Sequence, residues 1–204
     1  PLPRNLGEVL KRYRRVLDPG VGTGEFLISV RRRFPRAELH GWDVDPQILK
    51  VARKNVPRAK LTVCDALKVP PVEKFDLVIG NPPYYEFKPS ADLRKAYGDV
   101  ISGRPNIFAL FFKAGLNLLG EGGVLAYVVP TSMNNGAYFA ALREHILRVA
   151  EIHSFDIVSG ADRFIDAQQS VMGLVLVKTS TPKLRPQNVF EKNGLRIFTR
   201  DSKD

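Results

Sequence analysis

The stretch "RVLDPGVGTGEFLISVRRRF", residues 15–34, reads as a short apolar strand, a glycine-rich loop and a helix in direct succession. The strand ends in a carboxylate, Asp18, and Gly20, Gly22 and Gly24 follow at G-x-G-x-G spacing. Glycine lets the backbone turn tightly and come close to a bound ligand, an approach that a side chain would block. The spacing differs from the G-x-G-x-x-G of pyrophosphate-binding loops. It also sets an anion where a dinucleotide would bring its phosphates, so the loop points to a cationic ligand.

Outward from this unit, apolar runs at residues 37–43, 60–65, 75–80, 123–130 and 170–178 alternate with helix-length segments at 24–34, 46–55, 106–119 and 138–149. Such alternation means βαβ units and a mainly parallel sheet. Pro46 suits the first turn of its helix, and Gly120 with the "GEGG" cluster suits a helix stop. The core is expected to end near Lys178, where "TSTPKLRPQ" reads as a linker. Residues 1–178 are therefore taken as one domain and 179–204 as a linker or tail, or as the start of a further, recognition domain.

The 204 residues are 44% hydrophobic, enough for one domain with a full core, and carry a formal net charge of +10. That balance favours a polyanion such as nucleic acid as partner. The single cysteine, Cys64, excludes an internal disulfide, and His40, His145 and His153 lack ligand-like spacing, so no metal site is expected. No apolar run reaches membrane-spanning length and residues 1–15 lack a signal-peptide core, so a cytoplasmic protein is expected.

Three successive strands end in an acid: Asp18, Asp43 and Asp65. In a doubly wound sheet, ligands bind outside the carboxyl ends of the strands, so these acids would line one crevice. A lone acid there is also a common helix cap or turn residue. Asp43, in "HGWDVDP", stands at the distance where an acid accepts both hydroxyls of a ribose. Asp45, beside Pro46, reads instead as a cap. Asp65 would accept from the exocyclic amine of an adenine. A ligand with adenine, ribose and a cationic amino-acid end meets all three, and S-adenosylmethionine is such a ligand.

A fourth strand runs straight into Asn81, Pro82, Pro83, Tyr84 and Tyr85. An exocyclic adenine amine is a poor nucleophile, because its lone pair is delocalised into the ring. The Asn81 side-chain oxygen and the Pro82 carbonyl would each take one of its N–H groups, turning the lone pair toward a methyl donor. Prolines hold such carbonyls rigidly and add no competing N–H. Tyr84 would stack on the base, which must leave a duplex to be reached.

On "DPGVGTGEFL", "GWDVDP", "VCDAL", "FDLVIGNPPY" and "RPNIFALFFKAGLNLLGEGGVLAYVVPTS", the chain resembles the Asn-Pro-Pro-Tyr, gamma-type DNA adenine-N6 methyltransferases related to the Taq-type and Eco57I-type modification enzymes. The resemblance runs from Arg15 to Lys178 in one consistent order. It implies an α/β, Rossmann-like S-adenosylmethionine-dependent methyltransferase fold, a mainly parallel seven-stranded sheet with one late antiparallel strand. It assigns Asp18, Pro19, Gly20, Gly22, Thr23, Gly24, Phe26, Asp43, Val44, Asp65, Ala66 and Asn81 to the methyl donor. Asn81, Pro82, Pro83 and Tyr84 would hold the target amine, and Phe164 would pack on the flipped base. Asn106 and Phe108 match a block whose helix packs behind the site.

Members of that family carry a target-recognition domain after the catalytic one, so DNA recognition would need a further segment or a specificity subunit. The clusters "KRYRR" (residues 11–15) and "RRRFPR" (residues 31–36) are available for phosphate contacts or serve as a solvated charged face. Adenine in RNA, a protein glutamine amide and a non-catalytic nucleic-acid-binding domain stay open as alternatives to DNA methylation.

Overall fold

Strand residues alternate between two apolar layers, which is what a sheet covered on both faces requires. Val16, Leu77, Ile79, Val124 and Ala126 belong to one buried cluster, and Leu17, Val78, Leu125 and Tyr127 to the other. The computed structural model describes residues 14–70, 74–103, 105–158, 171–182, 189–192 and 195–198. Its strands are β1 (Arg15–Asp18), β2 (Glu38–Asp43), β3 (Lys60–Val63), β4 (Phe75–Gly80), β5 (Leu119–Pro130), β6 (Ala150–Val158) and β7 (Val171–Lys178). They form one sheet in the order β3-β2-β1-β4-β5-β7-β6. β1 to β5 are parallel, and β7 runs antiparallel to both β5 and β6. The expected late antiparallel strand is thus present.

Helices α1 (Glu25–Arg33) and α2 (Pro46–Asn55) cover the first layer with Leu27, Val30, Leu49 and Ala52. Each starts on a local signal. Gly24 takes φ 98° at the head of α1, and Asp45 caps α2 by accepting from the Gln47 N–H, with Pro46 in the first turn. On the other face, α3 (Ala91–Tyr97) and α4 (Ile107–Leu118) are capped by Ser90 and Asn106. Ten of the twelve residues of α4 are buried, the pattern of a helix inside the core. A Cβ at Gly115 would lie 2.6 Å from Leu125, so glycine lets α4 sit close on β5.

The helix stops just before the "GEGG" segment, as expected, but the segment is itself part of the next strand. α4 closes at Leu118, and residues 119–123 already belong to β5, where the pairing with β4 jumps from Phe75↔Leu119 to Leu77↔Val124. Gly122, at φ 73°, absorbs that bulge.

After β5 come α5 (Ser132–Asn135), a 3₁₀ turn at Ala137–Phe139 and α6 (Ala140–Val149). The buried Arg143 of α6 donates to the carbonyls of Met133 and Gly136 and fastens this turn from below. Beyond Lys178, β8 (Val189–Lys192) and β9 (Leu195–Phe198) form an antiparallel hairpin. The Asn134 side chain bonds both backbone groups of Phe198, whose ring is 2% exposed in the main core.

Candidate active site at the carboxyl edge of the sheet

Asp18 is the last residue of β1 and is 1% exposed. Gly80, the last residue of β4, lies against it: a Cβ there would come within 2.7 Å of Asp18 Oδ1. The Gly20 N–H donates to the carboxylate at 3.2 Å, and among the described residues no cation pairs with it. Burial therefore raises its pKa to about 7, against the Gly20 bond, with Asp43 and Glu25 adding repulsion. Tyr127, at the back of the site, is fully buried and its hydroxyl is held up by burial first and by Asp18 second.

Asp43, at the end of β2, ties the glycine loop to the sheet. Its Oδ2 accepts from the Gly22 N–H and its Oδ1 from the Asp45 N–H, both at 3.0 Å. A carboxylate has about four acceptor positions, so each oxygen retains capacity for another donor. Pro19 and Gly24 are buried beneath the loop, while Gly22 and Thr23 are half-buried. The Thr23 hydroxyl is spent on Glu25, and Phe26 packs on the first layer. Val44 is exposed next to Asp43.

Asp65 lies two residues beyond β3 rather than on its last position. The Cys64 N–H bonds the Asp43 carbonyl, which brings the segment alongside. Asp65 accepts from the Leu67 N–H at 3.1 Å and pairs with the exposed Lys68 at 3.0 Å, while Ala66 is buried behind it.

Asn81 leaves β4 at the same edge, exposed, followed by the buried Pro82 and half-buried Pro83. Tyr84 is 36% exposed, and its hydroxyl reaches both Asn81 Oδ1 and the Val128 carbonyl, the latter at 2.6 Å. One proton serves two acceptors, and burial keeps it on, lifting this hydroxyl above the ordinary tyrosine value. The Tyr84 ring meets Phe108 edge-on at 6.2 Å between centroids. Ladder-like bonds hold the following loop: the Ile107 N–H donates to the Tyr85 carbonyl and the Phe87 N–H to that of Pro105.

The sheet thus gathers Asp18, the glycine loop, Asp43, Asp65 and Asn81 to Tyr84 at one edge. Phe164 lies outside the described residues. Sequence reasoning missed Gly80, Tyr127, the Val128 carbonyl and Phe111, whose ring is 3.7 Å from a Cβ placed on Gly20. Only Gly80 had a local signal, its place immediately before Asn81. Among the described residues no group of three His, Cys, Asp or Glu could hold a metal ion, and no helix is long and apolar enough to cross a membrane.

A family model, "Eco57I restriction-modification methylase", matches residues 54–164. The modification methylase CviBIII of Paramecium bursaria Chlorella virus NC1A is 28% identical over 163 residues, 79% of this chain and 42% of its own. The type II methyltransferase M.TthHB8I of Thermus thermophilus is 32% identical over 146 residues, 66% of this chain and 33% of its own. The chain thus spans less than half the length of either relative. Among solved structures, one from Listeria monocytogenes described as a class I S-adenosylmethionine-dependent methyltransferase superposes with a TM-score of 0.74 at 22% identity, covering 88% of this chain and 59% of its own. Sheet order, crevice and family match agree: this chain belongs to the Eco57I restriction-modification methylase family.

Proposed function

We propose that this chain is the catalytic part of an enzyme that moves a methyl group from S-adenosylmethionine to the exocyclic N6 of adenine in DNA. The observation that carries the reading is the meeting, at one sheet edge, of a buried acid without a cationic partner among the described residues and the Asn81–Tyr84 acceptor loop, joined through Gly80. The methylase relatives of modification systems support DNA as the substrate.

The donor set fits the methyl donor. Asp18 suits its cationic amino-acid end, the free acceptor positions of Asp43 suit ribose hydroxyls, and Val44, Asp65 and Ala66 suit the adenine. When bound, S-adenosylmethionine supplies an electrophilic methyl group on a cationic sulfur. The protein's own part is positional. Asn81 Oδ1 and the Pro82 carbonyl take the two N–H groups of the target amine, which aims the nitrogen lone pair along the transfer line. Asn81 Oδ1 already accepts from the Tyr84 hydroxyl and, as an amide oxygen with two lone pairs, has a second acceptor position for the amine. The Tyr84 ring is then available to stack on the flipped base.

Labelled S-adenosylmethionine offered with unmethylated DNA, total RNA and a release-factor-like protein tests this, with products read by mass spectrometry. Labelled N6-methyladenine in DNA alone is expected, and Asn81→Ala should lose about a hundredfold or more in rate with methyl-donor affinity largely intact. Label confined to RNA or to glutamine would keep the chemistry and overturn the substrate.

A further inference from the structure

Tyr138 stands in the turn between β5 and α6 and is 55% exposed. Arg143 fixes the turn through the carbonyls of Met133 and Gly136. Phe139, the next residue, lies 4.8 Å from Phe108 between ring centroids, and Phe108 also meets Tyr84. The Tyr138 ring rests on Gly103, where a Cβ would come within 2.3 Å of it and φ is +58°. Gly103 leads into Pro105 to Ile107, the segment that bonds the backbone of Tyr85 and Phe87. Tyr85 itself is 52% exposed. An exposed aromatic ring thus sits beside the segment that holds the loop after Asn81, one residue from a ring chain that leads to Tyr84, and no described residue covers it.

Turning one base out of a strand leaves its neighbours without a stacking partner, and an aromatic ring on a fixed element offsets that loss at little conformational cost. Resting on the DNA reading above, we propose that Tyr138 stacks on a nucleobase next to the target adenine and holds it unstacked from the strand. Tyr84 receives the target, and Tyr138 receives its neighbour. Tyr138 adjoins Phe139, whose ring meets Phe108 and through it Tyr84, and an exposed aromatic face of this kind accepts any nucleobase.

The test measures fluorescence anisotropy of a short single-stranded thymidine oligonucleotide with one central adenine, in the presence of S-adenosylhomocysteine. A second oligonucleotide carries abasic residues on both sides of the adenine. Tyr138→Ala should weaken binding of the first about ten- to a hundredfold, with Tyr138→Phe restoring it, and abasic flanks should erase the difference between wild type and Tyr138→Ala. Gly103→Ala, whose Cβ displaces the ring, should reproduce the loss with unchanged S-adenosylhomocysteine affinity. Equal binding of the first oligonucleotide by wild type and Tyr138→Ala would overturn the proposal, and so would a loss that persists with abasic flanks. Failure of the wild type to bind either oligonucleotide would also overturn this proposal, whereas the DNA reading stands or falls by the methyl-transfer test above.

Discussion

At Asp18 a carboxyl with a single backbone donor is sealed beneath Gly80, so its ionisation is a matter of folding as well as binding. In the unfolded chain an aspartate loses its proton near 3.9, whereas the folded chain keeps it up to about 7. Between those values the folded state holds the extra proton. Ligand-free stability should therefore fall as pH rises through that window. Asp18→Asn keeps an acceptor for Gly20 and cannot ionise, so denaturant unfolding at about pH 5 and about pH 8 should show that slope in the wild type and not in the variant. Tyr84 separates by atom in the same way. Tyr84→Phe frees Asn81 Oδ1 and keeps the ring, so methyl transfer should stay within about tenfold, while Tyr84→Ala should cost about 1–3 kcal/mol of base affinity, read by oligonucleotide titration.

Among the elements, the β5–α6 connection depends most on one side chain. Removing the Arg143 guanidinium leaves the buried ends of two carbonyl bonds without their donor, which costs about 1–3 kcal/mol for each group left unsatisfied. Arg143→Met should lower the melting temperature accordingly and loosen the Tyr138 turn. Unchanged melting would mean that the turn holds itself. Element bounds were legible where a local signal marked them. The helix at 46–55 is found as expected because Asp45 and Pro46 define its start, and the strand at 75–80 because it is a buried apolar run. The "GEGG" segment marked the helix stop, but the strand expected from residue 123 starts at Leu119, because glycines that end a helix and glycines that bulge a strand look alike until the pairing of β4 with β5 is known.

Across the whole molecule, charge is sorted by the direction of the chain. Helices that follow parallel strands run back along the sheet, so their last turns lie at the edge opposite the crevice. Arg31, Arg32 and Arg33 end α1, Arg53 and Lys54 end α2, and Arg148 ends α6. Each cation also complements the negative end of its helix dipole. Arg31 moreover bonds the Pro35 and Ala37 carbonyls just before β2. Replacing Arg31, Arg32 and Arg33 by glutamate should thus leave transfer to a short oligonucleotide within about twofold, since those cations lie beyond a Debye length of about 8–10 Å from the site. A tenfold loss in a methyl-transfer assay would put the nucleic acid on that edge as well.

The sequence by itself determined the βαβ order, the acids at the ends of β1 and β2 and the acceptor loop after β4, because local chemistry writes these: glycine where the backbone must turn, an acid where a strand gives way to a loop, proline where a carbonyl must stay fixed. Tertiary structure alone decided what those residues feel. Gly80 meets Asp18 only because β1 and β4 are neighbours in the sheet, though the two residues lie far apart in the chain. The burial of Phe198 against the core and its bonds to Asn134 likewise follow from where the hairpin lands. Propensity and spacing act over a few residues, whereas burial, shared hydrogen bonds and a raised carboxyl pKa exist only once distant segments are packed together.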